Sequence, residues 1–118
     1  MSHFDAAGAA VQAALDAGAR HADARVMVRR TETMSARDGE VESLDSAESA
    51  GIGVRALVGS SWGFFAVPDL SGAAARAAGH RAAEIAAASA MVPGPAIDLV
   101  PGDARRASWA SPCAVDPL

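Results

Sequence analysis

The spacing of apolar residues predicts two helices, one at each end of the folded part of the chain. The first helix carries one apolar face made of Phe4, Ala7, Val11, Ala14 and Leu15. Ser2 is placed to cap its start, and Gly18 is placed to end it. The second helix is predicted from a cap at Ser71 to about Ala90, with one side formed by Ala74, Ala77, Ala78, Arg81, Ile85 and Ala88.

Between the helices, apolar and polar residues alternate with the period of two that is typical of β-strands. A long half-buried strand is predicted over "HADARVMVRRTETMSAR", and Asp38-Gly39 is a strong hairpin signal because a type I′ turn needs positive φ at both central residues. Three further strands are predicted, from Glu40 to Ala47, from Gly51 to Val58 and from Trp62 to Val67. Turns after Ala47 and at Gly59-Ser60 would separate these strands, and Pro68 would end the sheet.

The order of elements is therefore α-β-β-β-β-α, which predicts an α+β fold. We expect a two-layer sandwich in which an antiparallel four-strand meander is covered by two helices. Residues 1–92 are predicted to form the domain. Residues 93–118, which carry five prolines, are predicted to be an extended tail or junction.

Composition narrows the classes of function. The chain has 118 residues, which suits one small domain, and a formal net charge of −4. All ten basic residues are arginine and they form no stripe, which argues against nucleic-acid binding. The absence of a long uncharged apolar run argues against a membrane span. Cys113 is the single cysteine, so a cytoplasmic location is expected.

The sequence offers no catalytic set and no metal site. His3, His21 and His80 lack a second ligand at metal spacing, and Cys113 has no histidine nearby in sequence to act as its base. The glycine-rich run "GIGVRA" opens a strand rather than a helix, so a dinucleotide site is not expected. We therefore predict no catalytic residue, no metal ligand and no cofactor in this chain.

Five residues form the tentative peptide-binding or assembly set: Arg30, Glu32, Arg55, Trp62 and Phe64. Arg30 and Glu32 share the parity of Val26 and Val28, which places them toward the covered face, whereas Arg55 has the opposite parity to Val54. Two readings of the charged residues stay open. They form a structural ion pair, or they line a groove that binds another chain.

Several segments in order resemble the N-terminal domain of the TldD/PmbA family of metallopeptidases: "ALDAGARHADARV", "RRTETMSARDGEVE", "SAESAGIGVRALVGSSWGFFAVPDLS" and "RAAEIAAASA". The tail also resembles the family's junction, an aromatic-x-Ser-Pro-x-x-x-Asp-Pro pattern with Trp109, Ser111, Pro112, Asp116 and Pro117 in its places. "GVRALV" followed by "WGF" is more similar to the TldD branch than to the PmbA branch.

The resemblance implies a function for a longer protein. In this family a zinc-binding His-Glu-x-x-x-His helix lies beyond the first domain, and this sequence contains no such motif. The expectation is a non-catalytic N-terminal domain of a zinc metallopeptidase, with the zinc held by a missing C-terminal catalytic domain.

The family's chains associate in pairs around a cavity where unfolded peptides are cut. The implied partners are therefore a family member, in a homo- or heterodimer, and an unfolded peptide. We expect Trp109, Leu118 and Phe65 to lack partners and to promote self-association. A free-standing interaction module is the alternative. An autonomous small enzyme is disfavoured by the lack of a nucleophile with its base.

Overall fold

The computed structural model describes residues 2–92, 94–100 and 102–117. The elements within them are α1 (His3–Asp16), β1 (His21–Arg37), β2 (Glu40–Val58), β3 (Ser61–Val67) and α2 (Gly72–Ser89). The strands form one antiparallel sheet in the order β1-β2-β3. Helix α1 packs on β1 and β2, α2 packs on β2 and β3, and the two helices pack on each other. We call the covered side of the sheet the helix-side face and the other side the outer face.

Local sequence explains most of the element ends. The hydroxyl of Ser2 accepts a hydrogen bond from the Asp5 amide, and the hydroxyl of Ser71 accepts one from the Ala74 amide, so both predicted caps are confirmed. Asp38 and Gly39 both have positive φ, at 51° and 81°, in the turn between β1 and β2. The predicted turn at Gly59-Ser60 is also present.

The predicted four-strand meander is wrong. The segments from Glu40 to Ala47 and from Gly51 to Val58 are parts of one 19-residue strand, β2. A meander would need a turn between them, but residues 46–50 stay paired with residues 28–32 of β1. The ladder with β1, which has 17 residues, continues through this segment, and the sheet therefore has three strands among the described residues.

The helices bury their smallest residues, which corrects the predicted faces. Helix α1 buries Ala6, Ala10 and Ala14, whereas Phe4 and Leu15 stay 43% and 39% exposed. The buried residues of α2 are Ala75, Ala78, Gly79, Ala82, Ala83 and Ala86. Alanine and glycine let the backbones approach closely, and the largest fully buried side chains are Ile52, Val54 and Leu57.

The sheet is much longer than the helices that cover it. Every residue from Met27 to Ser49 is exposed, so this part of the β1–β2 hairpin extends beyond the helical layer. We call the hairpin formed by residues 27–50 the arm. Its two strands, residues 27–37 and 40–50, have eleven residues each, which is about 36 Å at 3.3 Å per residue.

The C-terminal segment has no helix or strand in residues 94–100 and 102–117. Trp109 is 80% exposed there, as expected for an apolar residue without a partner. Phe65 differs from the expectation because it packs against the core from β3. Leu118 lies outside the described residues. The boundary between a domain at 1–92 and a tail at 93–118 stays a prediction.

Candidate interaction surfaces

Arg55 lies at the centre of a polar and aromatic cluster on the outer face. It stands directly opposite Asp23 in the β1–β2 ladder, and its Nε and Nη2 donate to Asp23 Oδ2 at 3.0 and 2.8 Å. The Arg55 guanidinium also lies over the Trp62 ring, 4.4 Å from its centroid. Arg55 is thus oriented by a carboxylate on one neighbouring strand and an aromatic ring on the other.

His21 completes the cluster from β1. Its ring meets Trp62 edge to face with centroids 5.8 Å apart, and its Nε2 lies 3.2 Å from Asp23 Oδ2. Leu57 stands between His21 and Trp62 in the register and is fully buried. We call His21, Asp23, Arg55 and Trp62 the outer cluster. It is a connected set of side chains drawn from all three strands.

Phe64 extends the outer cluster along β3. It stands opposite Arg55 in the register, and its ring lies across Gly53, where a Cβ atom would come within 3.1 Å of it. Phe64 remains 63% exposed. Glycine in this strand therefore makes room for an aromatic ring that faces solvent on its other side.

Arg30 and Glu32 lie elsewhere, on the arm. Both have the parity of the helix-side face, as predicted, but the helices do not reach them and both are exposed. Arg30 Nη2 donates to Asp116 Oδ2 at 3.0 Å, and Ser46 donates to Glu32 Oε2 at 3.4 Å. The pKa of Arg30 is raised because its guanidinium donates this hydrogen bond to the Asp116 carboxylate, whose charge adds to the effect.

The five predicted residues thus form two groups rather than one site. Arg55, Trp62 and Phe64 come together on the outer face, whereas Arg30 and Glu32 lie on the opposite face of the arm. Along β1, Arg30 is seven residues from Asp23, or about 23 Å. Arg30 forms an ion pair with Asp116 and Arg55 forms one with Asp23, and neither arginine pairs with Glu32.

An apolar surface near the end of the arm was missed by the sequence reasoning. Met34 stands opposite Leu44, and Ala36 stands opposite Val41. A register shift between Ser35 and Ala36 leaves Glu42 as an extra residue in β2, which brings Val41 to the same face as Leu44. We call Met34, Val41 and Leu44 the tip patch.

The tip patch lies on the helix-side face, but no helix covers it. Its residues are 63%, 61% and 59% exposed, in the order Met34, Val41 and Leu44. The sequence did carry a signal for this patch. Apolar and polar residues keep alternating along β1 and β2 beyond the length of strand that the 18-residue helix α2 can cover. Between the tip patch and the core, the same face carries Arg30, Glu32, Ser46 and Glu48, and these residues help to line an open groove of about 330 Å³.

Metal binding and membrane spanning find no support within the described residues. In residues 2–92, 94–100 and 102–117, no group of three or more His, Cys, Asp or Glu side chains could hold a metal ion. No helix of that part of the chain is long and apolar enough to cross a membrane.

The fold and these surfaces define a class, a small α+β domain with an uncovered β-arm and an aromatic and charged outer face. Comparison with known families adds an assignment. The model for "PmbA/TldA metallopeptidase domain 1" matches residues 22–90, and the chain belongs to this family. The match runs from the start of β1 to the end of α2, and it does not distinguish the TldD branch from the PmbA branch. A search of curated proteins finds no match.

Proposed function

We propose that this chain is the non-catalytic N-terminal domain of a zinc metallopeptidase that cuts unfolded peptides. In this proposal the zinc and the catalytic residues belong to a C-terminal domain, and the present chain contributes a scaffold and an assembly surface. The family match to a first metallopeptidase domain supports the general assignment. A cytoplasmic location belongs to the same proposal and is supported by the single, free Cys113.

The tip patch is the observation that carries the assembly role. Three large apolar side chains share one face of a two-stranded ribbon, and each is about three-fifths exposed. Complete burial of such a side chain contributes about 1.5–3 kcal/mol. A partner that covers this face, whether a second copy or another family member, would gain about three-fifths of that free energy for each side chain, without rearranging the core.

Sedimentation equilibrium of single variants tests this role. Leu44→Glu places a charge in the tip patch, whereas Ser43→Glu places the same charge on the opposite face of the same strand and serves as the matched control. We expect the wild type to self-associate and Leu44→Glu to weaken the association at least tenfold, which corresponds to about 1.4 kcal/mol. Ser43→Glu should associate like the wild type.

Two results would contradict assembly through the tip patch. One is equal weakening by both substitutions, which would indicate a general effect of charge on the arm. The other is a wild type that stays monomeric both alone and when mixed with a full-length family member. Circular dichroism of each variant establishes that the sheet is retained.

Peptide capture is the second candidate, and the position of the outer cluster favours it. β3 is an edge strand of the sheet, and an extended peptide can pair with such an edge through its main chain. Trp62 and Phe64 project from this strand on the outer face, beside Arg55. They could contact alternate side chains of the added peptide, with little demand on its sequence.

Fluorescence anisotropy with a labelled peptide of alternating Val and Thr tests capture. Phe64→Ala is the best variant because Phe64 is exposed and its loss should leave the fold intact. We expect about tenfold weaker binding, the scale of one lost aromatic contact. Trp109→Ala removes an exposed aromatic residue from the tail and should leave binding unchanged. Equal binding by wild type and Phe64→Ala would exclude this surface.

A further inference from the structure

Residues 94–100 and 102–117 contact the domain at several points although they form no helix or strand. Arg20 holds the beginning of this segment, because its Nη2 donates to the Ile97 carbonyl at 2.6 Å while its Nε donates to the Gly59 carbonyl at 2.9 Å. One arginine thus joins the tail to the turn between β2 and β3.

The middle and the end of the segment also meet the domain. The Arg106 guanidinium lies beside Gly8 of α1, at 3.8 Å from the position of a Cβ on that glycine. The pKa of Asp5 on the same helix is lowered chiefly by its hydrogen bonds with Ser2, and the charge of Arg106 adds a smaller contribution. Ten residues further on, Asp116 accepts the hydrogen bond from Arg30 of the arm. The segment therefore passes from the sheet turn, along α1, to the arm.

Asp116 is part of the aromatic-x-Ser-Pro-x-x-x-Asp-Pro pattern at the end of the tail. The proposed function assigns no role to this pattern. Pro112 and Pro117 flank this part of the tail. Because proline fixes φ and restricts the residue before it, the segment loses less conformational entropy when it docks. A short contact at Asp116 can therefore hold several residues in place.

We propose that the Arg30–Asp116 pair is a latch that docks the junction segment, residues 113–117, on the arm. The latch fixes the direction in which the chain leaves the domain relative to the arm. The side chains are 50% and 56% exposed, so salt screens the pair and can release the segment. This inference does not rest on the proposed function, since it concerns contacts within one chain.

Distance measurement between two spin labels tests the latch. Labels are placed at Thr33→Cys on the outer face of the arm and at Ala114→Cys within the junction segment, in a Cys113→Ser background. Both labelled positions are exposed. Dilution with an excess of unlabelled chain removes distances between copies. We expect a defined distance for this chain and a broad distribution after Asp116→Asn.

Matched variants separate the latch from other effects. Asp116→Glu keeps the charge and should retain the defined distance, whereas Arg30→Gln should broaden it as Asp116→Asn does. Arg29→Gln removes the neighbouring arginine on the opposite face and should have no effect. Raising the salt to about 1 M, where the Debye length is near 3 Å, should broaden the wild-type distribution.

The latch is overturned if Asp116→Asn and Arg30→Gln give the same defined distance as the parent. It is also overturned if the parent distribution is already broad, or if Asp116→Glu behaves like Asp116→Asn. Because the readout is a distance within one chain, loss of self-association or of peptide binding leaves it unaffected, and the two proposals fail independently.

Discussion

Gly79 and Gly8 show how one residue type plays different parts in two packed helices. Gly79 is buried at the point where α2 crosses α1, and a Cβ atom there would collide with the backbone of Ala10. Gly8 lies on α1 itself, where a Cβ would meet only the Arg106 side chain at an ordinary 3.8 Å. The first glycine permits the crossing, whereas the second only adds flexibility to the unfolded chain.

The two positions therefore predict opposite effects of the same substitution. Gly79→Ala should lower the free energy of unfolding by about 1–3 kcal/mol, because the helices must move apart. Gly8→Ala should raise it by up to about 1 kcal/mol, because alanine has the better helix propensity. Urea denaturation of both variants measures this. A shift in the same direction for both would contradict the close crossing at Gly79.

Asp5 makes α1 sensitive to acid. Its carboxylate accepts a hydrogen bond from the Ser2 amide at 3.1 Å, and its pKa is lowered chiefly by this backbone bond and then by the Ser2 side chain. A group whose folded pKa lies below its unfolded value of 3.8 contributes stability above that value. That contribution is lost as the pH falls through the folded pKa.

Asp5→Asn should accordingly reduce stability at neutral pH and have less effect in acid. Thermal unfolding of wild type and variant between pH 7 and about pH 2 gives the difference as a function of pH. Asp103→Asn, a change at an exposed tail position, is the control. A difference that grows as the pH falls would contradict the capping role of Asp5.

At the scale of elements, β2 has two parts in different environments. Ile52, Val54 and Ala56 are buried under the helices, whereas the residues from Glu40 to Ser49 are exposed on both faces. Hydrogen bonds of the β1–β2 ladder continue through both parts. Only the part from Ile52 onward is held by packing against the helices. The arm can therefore open without unfolding the core.

Hydrogen exchange at high dilution should resolve the two parts. Amides of residues 52–58 should exchange near the rate of global unfolding, and those of residues 41–49 should exchange faster. Protection that appears in the arm as concentration rises would report the assembly proposed for the tip patch. Equal protection of both parts at every concentration would contradict an arm that lies free of the core.

Sequence signals for the helix caps and for the Asp38-Gly39 turn were reliable, whereas the turn predicted after Ala47 was wrong. Ser2, Ser71 and Asp38-Gly39 act through hydrogen bonds or φ values within a few residues, so local sequence was enough to place them. The run "SAESAG" in the middle of β2 contains small residues that are typical of turns. It stays extended because β1 provides partners for it at every position.

The buried helix faces show a related limit. The prediction placed Phe4 and Leu15 on the buried face of α1 because they follow the helical spacing of apolar residues. The structure instead buries a different stripe of small residues on each helix, including Ala6, Ala10 and Ala14 of α1, because small residues let the two helices approach each other and the sheet. The partner helix decides which of two apolar stripes faces inward. That helix is distant in sequence, so the pattern within one helix does not show the choice.

On the scale of the whole molecule, the arm makes the domain elongated. The Cα radius of gyration is 18.7 Å and the principal extents are 61 × 29 × 29 Å. A compact chain of 118 residues would have a radius of gyration of about 13.5 Å. The excess follows from the arm and from a tail that runs over the surface.

Small-angle X-ray scattering tests this shape directly. Scattering from the Leu44→Glu variant, in which self-association should be weakened, should give a radius of gyration near 19 Å, close to the value for the Cα atoms. Shortening the arm by removing residues 32–46 should reduce it, since the paired ends at Thr31 and Ala47 can be joined by a new Asp-Gly turn. A value near 13–14 Å for the full arm would mean that it folds back on the core.

The sequence by itself determined the α+β class, both helices with their caps, the hairpin turn and the family to which the chain belongs. These features depend on local hydrogen bonding, on φ preferences and on an ordered set of short segments. Tertiary structure alone decided that β2 is one strand, that the arm extends beyond the helices and that Arg30 and Arg55 pair with different carboxylates. The physical reason is the same in each case: pairing and burial depend on residues distant in sequence, such as Asp116 for Arg30 and the length of β1 for β2.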